Sequence, residues 1–251
     1  MRGAKIMPEK FVFTSNPIEQ LEKEYDVVII GSGSTGLTCA IQAYELGLKP
    51  VILEKMDKIG GNTNRASSGM NAAETEVQLA NGVVDSFADF YKETYQGGGK
   101  LNNQEMLEYF ATHTALAIEW LSSHEIELTD LTVTGGMSKK RAHRPASTAP
   151  VGAYLIKGLL RIIQKASIPL FTQVKVEHLK KQPSGTQVAI SIGEGVQKTI
   201  VGRSIVIATG GFGAGSEWIK KYRPELLNYK TTNHSGATGD GLLMAQEIGA
   251  E

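Results

Sequence analysis

The chain holds a single cysteine, Cys39. No disulfide can form within it, and nothing argues for an oxidising compartment. Nor is there a run approaching the roughly 18 consecutive apolar residues that a membrane span needs. Residues 1–10 lack an apolar core behind their positive charges, so they do not read as a secretory signal. Net charge is missing as well, because 26 Lys and Arg offset 26 Asp and Glu. That removes the long-range attraction by which nucleic acids and anionic membranes are usually captured. Aromatic residues are few, at 7%, and Phe87, Phe90, Phe110 and Trp120 fall at helical spacing. They read as core-facing side chains and not as a base-stacking platform. No grouping of His, Cys, Asp and Glu has metal-site spacing. The expectation left is a cytoplasmic protein with a small-molecule ligand, no nucleic-acid partner and no membrane span.

What the chain has in excess is glycine: 28 of 251 residues, about 11% against a typical ~7%. Such an excess points to tight turns and to backbone that approaches a ligand closely. The length suits one large α/β domain or two small ones. Tyr25-Asp26-Val27-Val28-Ile29-Ile30 is a buried strand in this reading, broken at Gly31-Ser32-Gly33-Ser34-Thr35-Gly36. A helix follows with Leu37, Ala40, Ile41 and Tyr44 on one face, ended by Gly47. Val51-Ile52-Leu53 is a second buried strand, closing with Glu54.

Further on, the pattern predicts a loop over 60–71 and helices over 84–95, 104–122 and 154–165. A basic loop is expected over 134–150. Three alternating segments, 173–179, 187–192 and 197–201, predict an antiparallel meander. A separate buried strand is expected over 204–208, and a last helix carries Leu242, Leu243, Ala245 and Ile248. The fold expected is a doubly wound α/β, Rossmann-like nucleotide domain over 25–251. It carries a helical insertion at about 75–167 and follows a tail at 1–24.

The glycine segment fits the dinucleotide fingerprint in residue type and in context. Gly31 permits the tight turn, Gly33 lets backbone approach a pyrophosphate, and Gly36 allows close helix–strand packing. The helix start and its dipole then attract the phosphates. Glu54 stands eighteen residues beyond Gly36, where a carboxylate can accept both hydroxyls of an adenosine ribose. The fingerprint alone does not separate NAD from FAD. The loop Lys58-Ile59-Gly60-Gly61-Asn62-Thr63 and the string Ala208-Thr209-Gly210-Gly211 favour FAD, and an NAD-dependent enzyme gives no account of the first.

With those motifs in order, the chain resembles the fumarate reductase and succinate dehydrogenase flavoproteins, above all the soluble flavocytochrome c-like branch. Urocanate reductases and 3-ketosteroid dehydrogenases are similar. The resemblance is carried by I-G-G-N at 59–62, S-G-M-N-A-A at 68–73, R-A-H-R-P at 141–145, A-T-G-G at 208–211 and T-N-H-S-G-A-T-G-D-G at 232–241.

It implies FAD as cofactor, with Gly31, Gly33, Thr35 and Gly36 on the pyrophosphate and Glu54 and Lys55 at the adenosine. Gly61, Asn62, Thr63, Ser67, Ser68 and Gly69 would lie along the ribityl chain and flavin. Val174 would meet the adenine through its backbone, Ala208, Thr209 and Gly210 would pack on the adenosine side, and Asp240 would contact the cofactor. Ser68 stands where many relatives carry glycine, and its hydroxymethyl would crowd the flavin or donate a hydrogen bond to it.

The reaction implied is hydride transfer between flavin N5 and an activated carbon–carbon double bond such as that of fumarate. The proton-donating and carboxylate-binding motifs of that family belong to a capping domain and to sequence beyond Glu251. The chain therefore reads as an N-terminal part without catalytic residues. A dicarboxylate-like substrate would be met through that further half or through a second polypeptide. The competing reading is a non-catalytic or truncated flavin-binding module. Arg141, His143 and Arg144 read either as a carboxylate-binding or flavin-facing loop or as a surface loop fixed by Pro145. His234, at the start of the last glycine-rich motif, reads either as lining the cofactor cleft or as structural, while His113, His124, His178 and Cys39 read as structural.

Overall fold

The computed structural model describes residues 11–193 and 195–250. The first ten residues of the expected tail lie outside these, as does Glu251. Along the chain the elements are β1 (Glu24–Ile30), α1 (Ser34–Glu45), β2 (Pro50–Leu53), β3 (Met70–Asn71), α2 (Glu76–Ala80), α3 (Phe87–Gly97) and α4 (Gln104–Ser123). There follow β4 (Asp130–Thr132), β5 (Ala142–Arg144), α5 (Val151–Lys165), β6 (Leu170–Phe171), β7 (Val174–Gln182), β8 (Gly185–Ile192), β9 (Val196–Ile207), α6 (Ser216–Tyr222) and α7 (Asp240–Glu247). They form two compact units, one of residues 11–61 and 159–250 and the other of residues 62–158.

The first unit is built on a six-stranded sheet in the order β6-β2-β1-β9-β8-β7. β1 pairs in parallel with β2 on one side and β9 on the other, and β2 pairs in parallel with β6. β7, β8 and β9 are antiparallel neighbours. β1 and β2 read as continuous β-branched runs because both faces are covered, and Val28, Ile29, Val51 and Ile52 are inaccessible to solvent. On one face lies a core of Tyr25, Val28, Val51, Phe171, Val176 and Ile190 with their neighbours. Residues from the tail region run beside β6. The Asn16 amide donates to the Leu170 carbonyl at 2.9 Å, and the Asn16 carboxamide oxygen accepts from the Leu170 amide at 3.0 Å.

The expected strands over 197–201 and 204–208 are one strand, β9. Gly202 reads as a break in the sequence, but here it marks a close approach inside the strand. A methyl group on it would stand 2.7 Å from Ile205 Cδ1 and 2.8 Å from Val28 Cγ2. The last residues of β9 are also less covered than expected, with Ile205, Val206 and Ile207 half-buried. On α1, Tyr44 points to solvent, while Leu37, Ala40 and Ile41 are buried. On α7 the buried residues are Gly241 and Met244, and the expected Leu242 and Leu243 are exposed. α6 was not expected at all, since its seven residues are too few to display a helical repeat.

The second unit packs α3 against α4 beside a small sheet in the order β3-β5-β4. β5 lies inside the stretch expected to be loop, because three residues are too short for alternation to register. The α4 face is turned from the expected one. Leu107, Ala111, Ala115, Ile118 and Leu121 are buried, whereas Met106 and Phe110 are exposed and Trp120 is half-buried. Of the four aromatics expected in the core, Phe90 is buried and Phe87 packs partly against it.

Replacing Gly202 with Val should overpack the seam between β9 and β1, costing about 1–3 kcal/mol. Urea unfolding of the two proteins checks this, and equal midpoints would count against the packing role.

Candidate functional site

Parallel register sets Ile30 between Leu53 and Ile207. The residues that follow these three, Gly31, Glu54 and Ala208, therefore leave the sheet at the same edge, where ligands of open α/β sheets sit. Gly31 has φ +108°, and a methyl group on it would stand 2.4 Å from the Ala208 carbonyl oxygen. On Gly36 a methyl group would stand 2.0 Å from the Gly31 carbonyl oxygen. Both glycines are thus required by backbone crossing backbone, as the fingerprint reading expects of Gly36. Gly33 is the N-cap of α1 and brings no side chain to cap its first turn, which holds Thr35.

The Glu54 side chain is held from two sides. The Ser32 amide and hydroxyl donate to Oε2 at 3.0 and 2.5 Å, and the Met56 amide donates to Oε1 at 2.9 Å. Ser32 is fully buried, and its Oγ also accepts from the Gly60 amide at 3.2 Å. Sequence reasoning passed over Ser32 because it fills a variable position of the fingerprint. The Val174 amide is committed to the Glu54 carbonyl at 2.9 Å, which brings the start of β7 against the end of β2.

Lys55 Nζ donates to Thr238 Oγ1 at 2.5 Å and to Asp240 Oδ2 at 2.9 Å, and Thr238 Oγ1 donates to Asp240 Oδ1 at 2.6 Å. Burial alone would push the Asp240 carboxyl up, but the Lys55 and Thr238 hydrogen bonds outweigh it, so the net shift is downward. A cleft of about 480 Å³ opens here, lined by Lys55, Met56, Gln173, Lys175, Ser191 and Thr238. His234 Nδ1 accepts from the Gly236 amide at 3.0 Å and shapes the loop ahead of α7. Gly210 and Gly61 have φ +73° and +47°, and a methyl group on either would meet nothing within 4 Å. Their need is for backbone conformation on an open surface.

In the second unit Asn62, Ser67 and Ser68 are exposed, and Thr63 and Gly69 are half-buried. The start of α5 supports this loop. The Gly152 amide donates to the Ala66 carbonyl at 3.0 Å, and a methyl group on Gly152 would stand 1.7 Å from the Thr63 carbonyl oxygen. Gly152 escaped the sequence reading because it sits within a helical pattern.

The Arg141 and His143 readings are both corrected. Neither is on a surface loop, and neither presents its polar atoms to a ligand: both are fully buried within the second unit. Arg141 donates through Nε and NH2 to the two oxygens of Asp85 at 2.7 and 2.6 Å, and through NH1 to Glu93 at 2.6 Å. Its guanidinium lies 5.1 Å from the Phe90 ring centroid. Burial opposes ionisation of both acids, yet hydrogen bonds from Arg141 and then Gln78 at Asp85, and from Ser138 and then Arg141 at Glu93, hold each below its ordinary value.

His143 Nδ1 lies 2.7 Å from the Arg141 carbonyl and Nε2 lies 2.8 Å from Thr75 Oγ1. A carbonyl oxygen only accepts, so Nδ1 carries the ring proton, and Nε2 then accepts from the Thr75 hydroxyl. Burial lowers the His143 pKa more than the Arg141 and Met70 carbonyls raise it. Arg144 pairs with Asp130 at 2.5 Å on the neighbouring β4. Among the other histidines, His113 stacks on Tyr109 and His178 is exposed and faces Glu247. Cys39 is half-buried on α1.

The model of the FAD binding domain matches residues 26–251. This chain belongs to the FAD binding domain family. It is 47% identical over 231 residues to the NADH:fumarate oxidoreductase of Klebsiella pneumoniae (strain 342), which spans 91% of this chain and 25% of that protein. It is 35% identical to the fumarate reductase (cytochrome) of Shewanella frigidimarina, over 89% of this chain and 40% of the other. The open conformation of a flavocytochrome c3 fumarate reductase superposes with TM-score 0.87 at 30% identity, covering 93% of this chain and 42% of that one. The chain thus spans about a quarter to two fifths of these three relatives.

The residues of this FAD domain fit the cofactor its family binds. A carboxylate ends β2, an uncapped helix start follows β1, and open positive-φ glycines border both loops. Among the described residues there is no helix long and apolar enough to cross a membrane and no group of ligands suited to a metal.

Replacing Arg141 with Met should cost about 3–5 kcal/mol, because it strands the buried Asp85 carboxylate. Guanidinium unfolding checks this. The lowered His143 pKa means that the unfolded chain binds a proton that the folded chain refuses. His143 therefore supports stability above about pH 6.5, and that support falls away as pH drops below it. The difference in melting temperature between the native chain and His143→Asn should shrink from pH 7 to pH 5. A constant difference would rule the linkage out.

Proposed function

We propose that this chain is the FAD-holding part of a fumarate-reductase-like oxidoreductase, with the chain's own residues binding and orienting the cofactor and none acting as a catalytic residue. The observation that carries this reading is the strand, glycine turn, helix and terminal acid of residues 24–54, with the Glu54 carboxylate already fixed by Ser32 and Met56. When bound, FAD supplies the hydride exchanged with an activated carbon–carbon double bond.

Gly31, Gly33, Thr35 and Gly36 bring backbone and the positive end of α1 to the pyrophosphate. Glu54 and Lys55 receive the adenosine, with Val174, Ala208, Thr209 and Gly210 packed beside it. Gly61, Asn62, Thr63, Ser67, Ser68 and Gly69 follow the cofactor toward the flavin. Asp240 acts through Lys55, to which it is bonded. The helical region of about 75–167 stands as an insertion in a cofactor domain that otherwise runs from 25 to 251.

A small unsaturated dicarboxylate is the substrate class, in keeping with the fumarate reductases among the relatives. Its carboxylate-binding and proton-donating groups come from sequence outside the chain, either a longer polypeptide or a second one. A cytoplasmic location accords with the single cysteine.

The test is a titration of the purified chain with FAD, followed by flavin fluorescence and by absorbance. Binding is expected, and Glu54→Ala should weaken it at least tenfold, the loss of about 1.5 kcal/mol or more for a hydrogen bond to a charged group. Fumarate-dependent oxidation of a reduced dye should be absent with the chain alone. Turnover under those conditions would refute the division of labour. Binding of NADH with no binding of FAD would refute the cofactor.

A further inference from the structure

The 20-residue helix α4 carries two apolar faces. One of them, with Leu107, Ala111, Ile118 and Leu121, is buried in the second unit. The other is a row of Met106, Tyr109, Phe110, His113, Leu116 and Trp120, all exposed except the half-buried Trp120. Met106, His113 and Trp120 are spaced by sevens, and Tyr109 and Leu116 each follow three residues after one of them. That is the a and d spacing by which one helix receives another. A contiguous apolar row left in water marks an interaction site.

The row is prepared for a partner. Tyr109 stacks on His113 with ring centroids 3.9 Å apart, and the Trp120 centroid lies 4.1 Å from that of His124. Rings held in this way lose little freedom when a second surface covers them, and Tyr and Trp are the side chains that most often anchor interfaces. One edge of the row is closed by α3, since the Phe110 ring lies 5.7 Å from that of Phe90. Helical spacing puts the exposed Glu105, Glu108 and Glu119 along the opposite edge. From Gln104 to Glu127 there are five acids and no Lys or Arg, in a chain whose total charge is zero.

We propose that this outer face of α4 docks a basic amphipathic helix of a partner protein. The partner's apolar side chains pack on the row from Met106 to Trp120, and its Lys or Arg residues meet the glutamate edge. A second copy of this chain fits less well, because its α4 brings further acids and no cation. The surface lies wholly within the second unit and does not depend on the cofactor reading.

The test follows the fluorescence anisotropy of three labelled peptides as the native chain is added. The first peptide repeats leucine at alternating steps of three and four, with lysine between. The second has the same composition in scrambled order, and the third has glutamate in place of lysine. The first should bind about tenfold or more tightly than either of the others. Equal binding of the scrambled peptide would reduce the surface to bare charge, and equal binding of the glutamate peptide would remove the basic partner. Either result overturns the proposal.

Leu116→Glu puts a charge into the row at an exposed position. It should weaken the first peptide about tenfold or more and leave the melting temperature unchanged. Unchanged affinity would place the binding elsewhere. Glu105→Lys combined with Glu119→Lys should turn the preference toward the glutamate peptide, and this decides the point even if the first variant does not fold. Sedimentation of the chain alone should show no self-association that Leu116→Glu abolishes. Such self-association would give the face to a second copy and overturn the partner helix.

Discussion

Parallel pairing of β1 with β2 and β9 is the constraint on which the candidate site depends. Because Ile30 stands in register with both Leu53 and Ile207, three loops leave the sheet side by side. Gly31, Glu54 and Ala208 need no long-range instruction beyond that register to become neighbours. The contacts between them are short-range consequences: the Ala208 carbonyl excludes any side chain at Gly31, and Ser32 reaches Glu54 by two hydrogen bonds. A hydrophobic ladder thus sets the position of the polar site at its edge.

The glycine excess resolves into two physical roles. Gly31, Gly36, Gly152 and Gly202 stand where a methyl group would collide with backbone or with packed side chains. Gly61 and Gly210 collide with nothing and serve by adopting positive φ. The first kind cements the protein to itself, and the second leaves room on a surface. Composition alone does not separate them, since the distinction lies in what arrives from elsewhere in the chain.

The same division explains what was legible in the sequence. The β1-turn-α1-β2 unit and Glu54 could be read because their signals are local: β-branched runs, glycine spacing and an acid at a fixed offset. The continuity of β9 could not be read, because Gly202 looks like punctuation until Val28 is known to lie against it. The Arg141 cluster escaped for the same reason. Its acids, Asp85 and Glu93, are 56 and 48 residues away, and only the fold makes Arg141 a buried cation. The face of α4 was misjudged because its apolar residues nearly encircle the helix, and contact, not periodicity, selects Ala111 over Phe110. The cofactor residues were named with help from resemblance, whereas Ser32 emerged only from the bonds it makes.

β9 serves the meander at one end and the cofactor edge at the other, without interruption. Side chains in a strand alternate between faces, so a slip of one residue anywhere along it would turn every later side chain over. Insertions and deletions within residues 196–207 should therefore be purged over evolutionary time, even at its exposed positions. The turn at 183–184 joining β7 to β8 lies outside the strand and is free to vary in length. Tolerance of length change in this part of the chain should follow strand continuity and not solvent exposure.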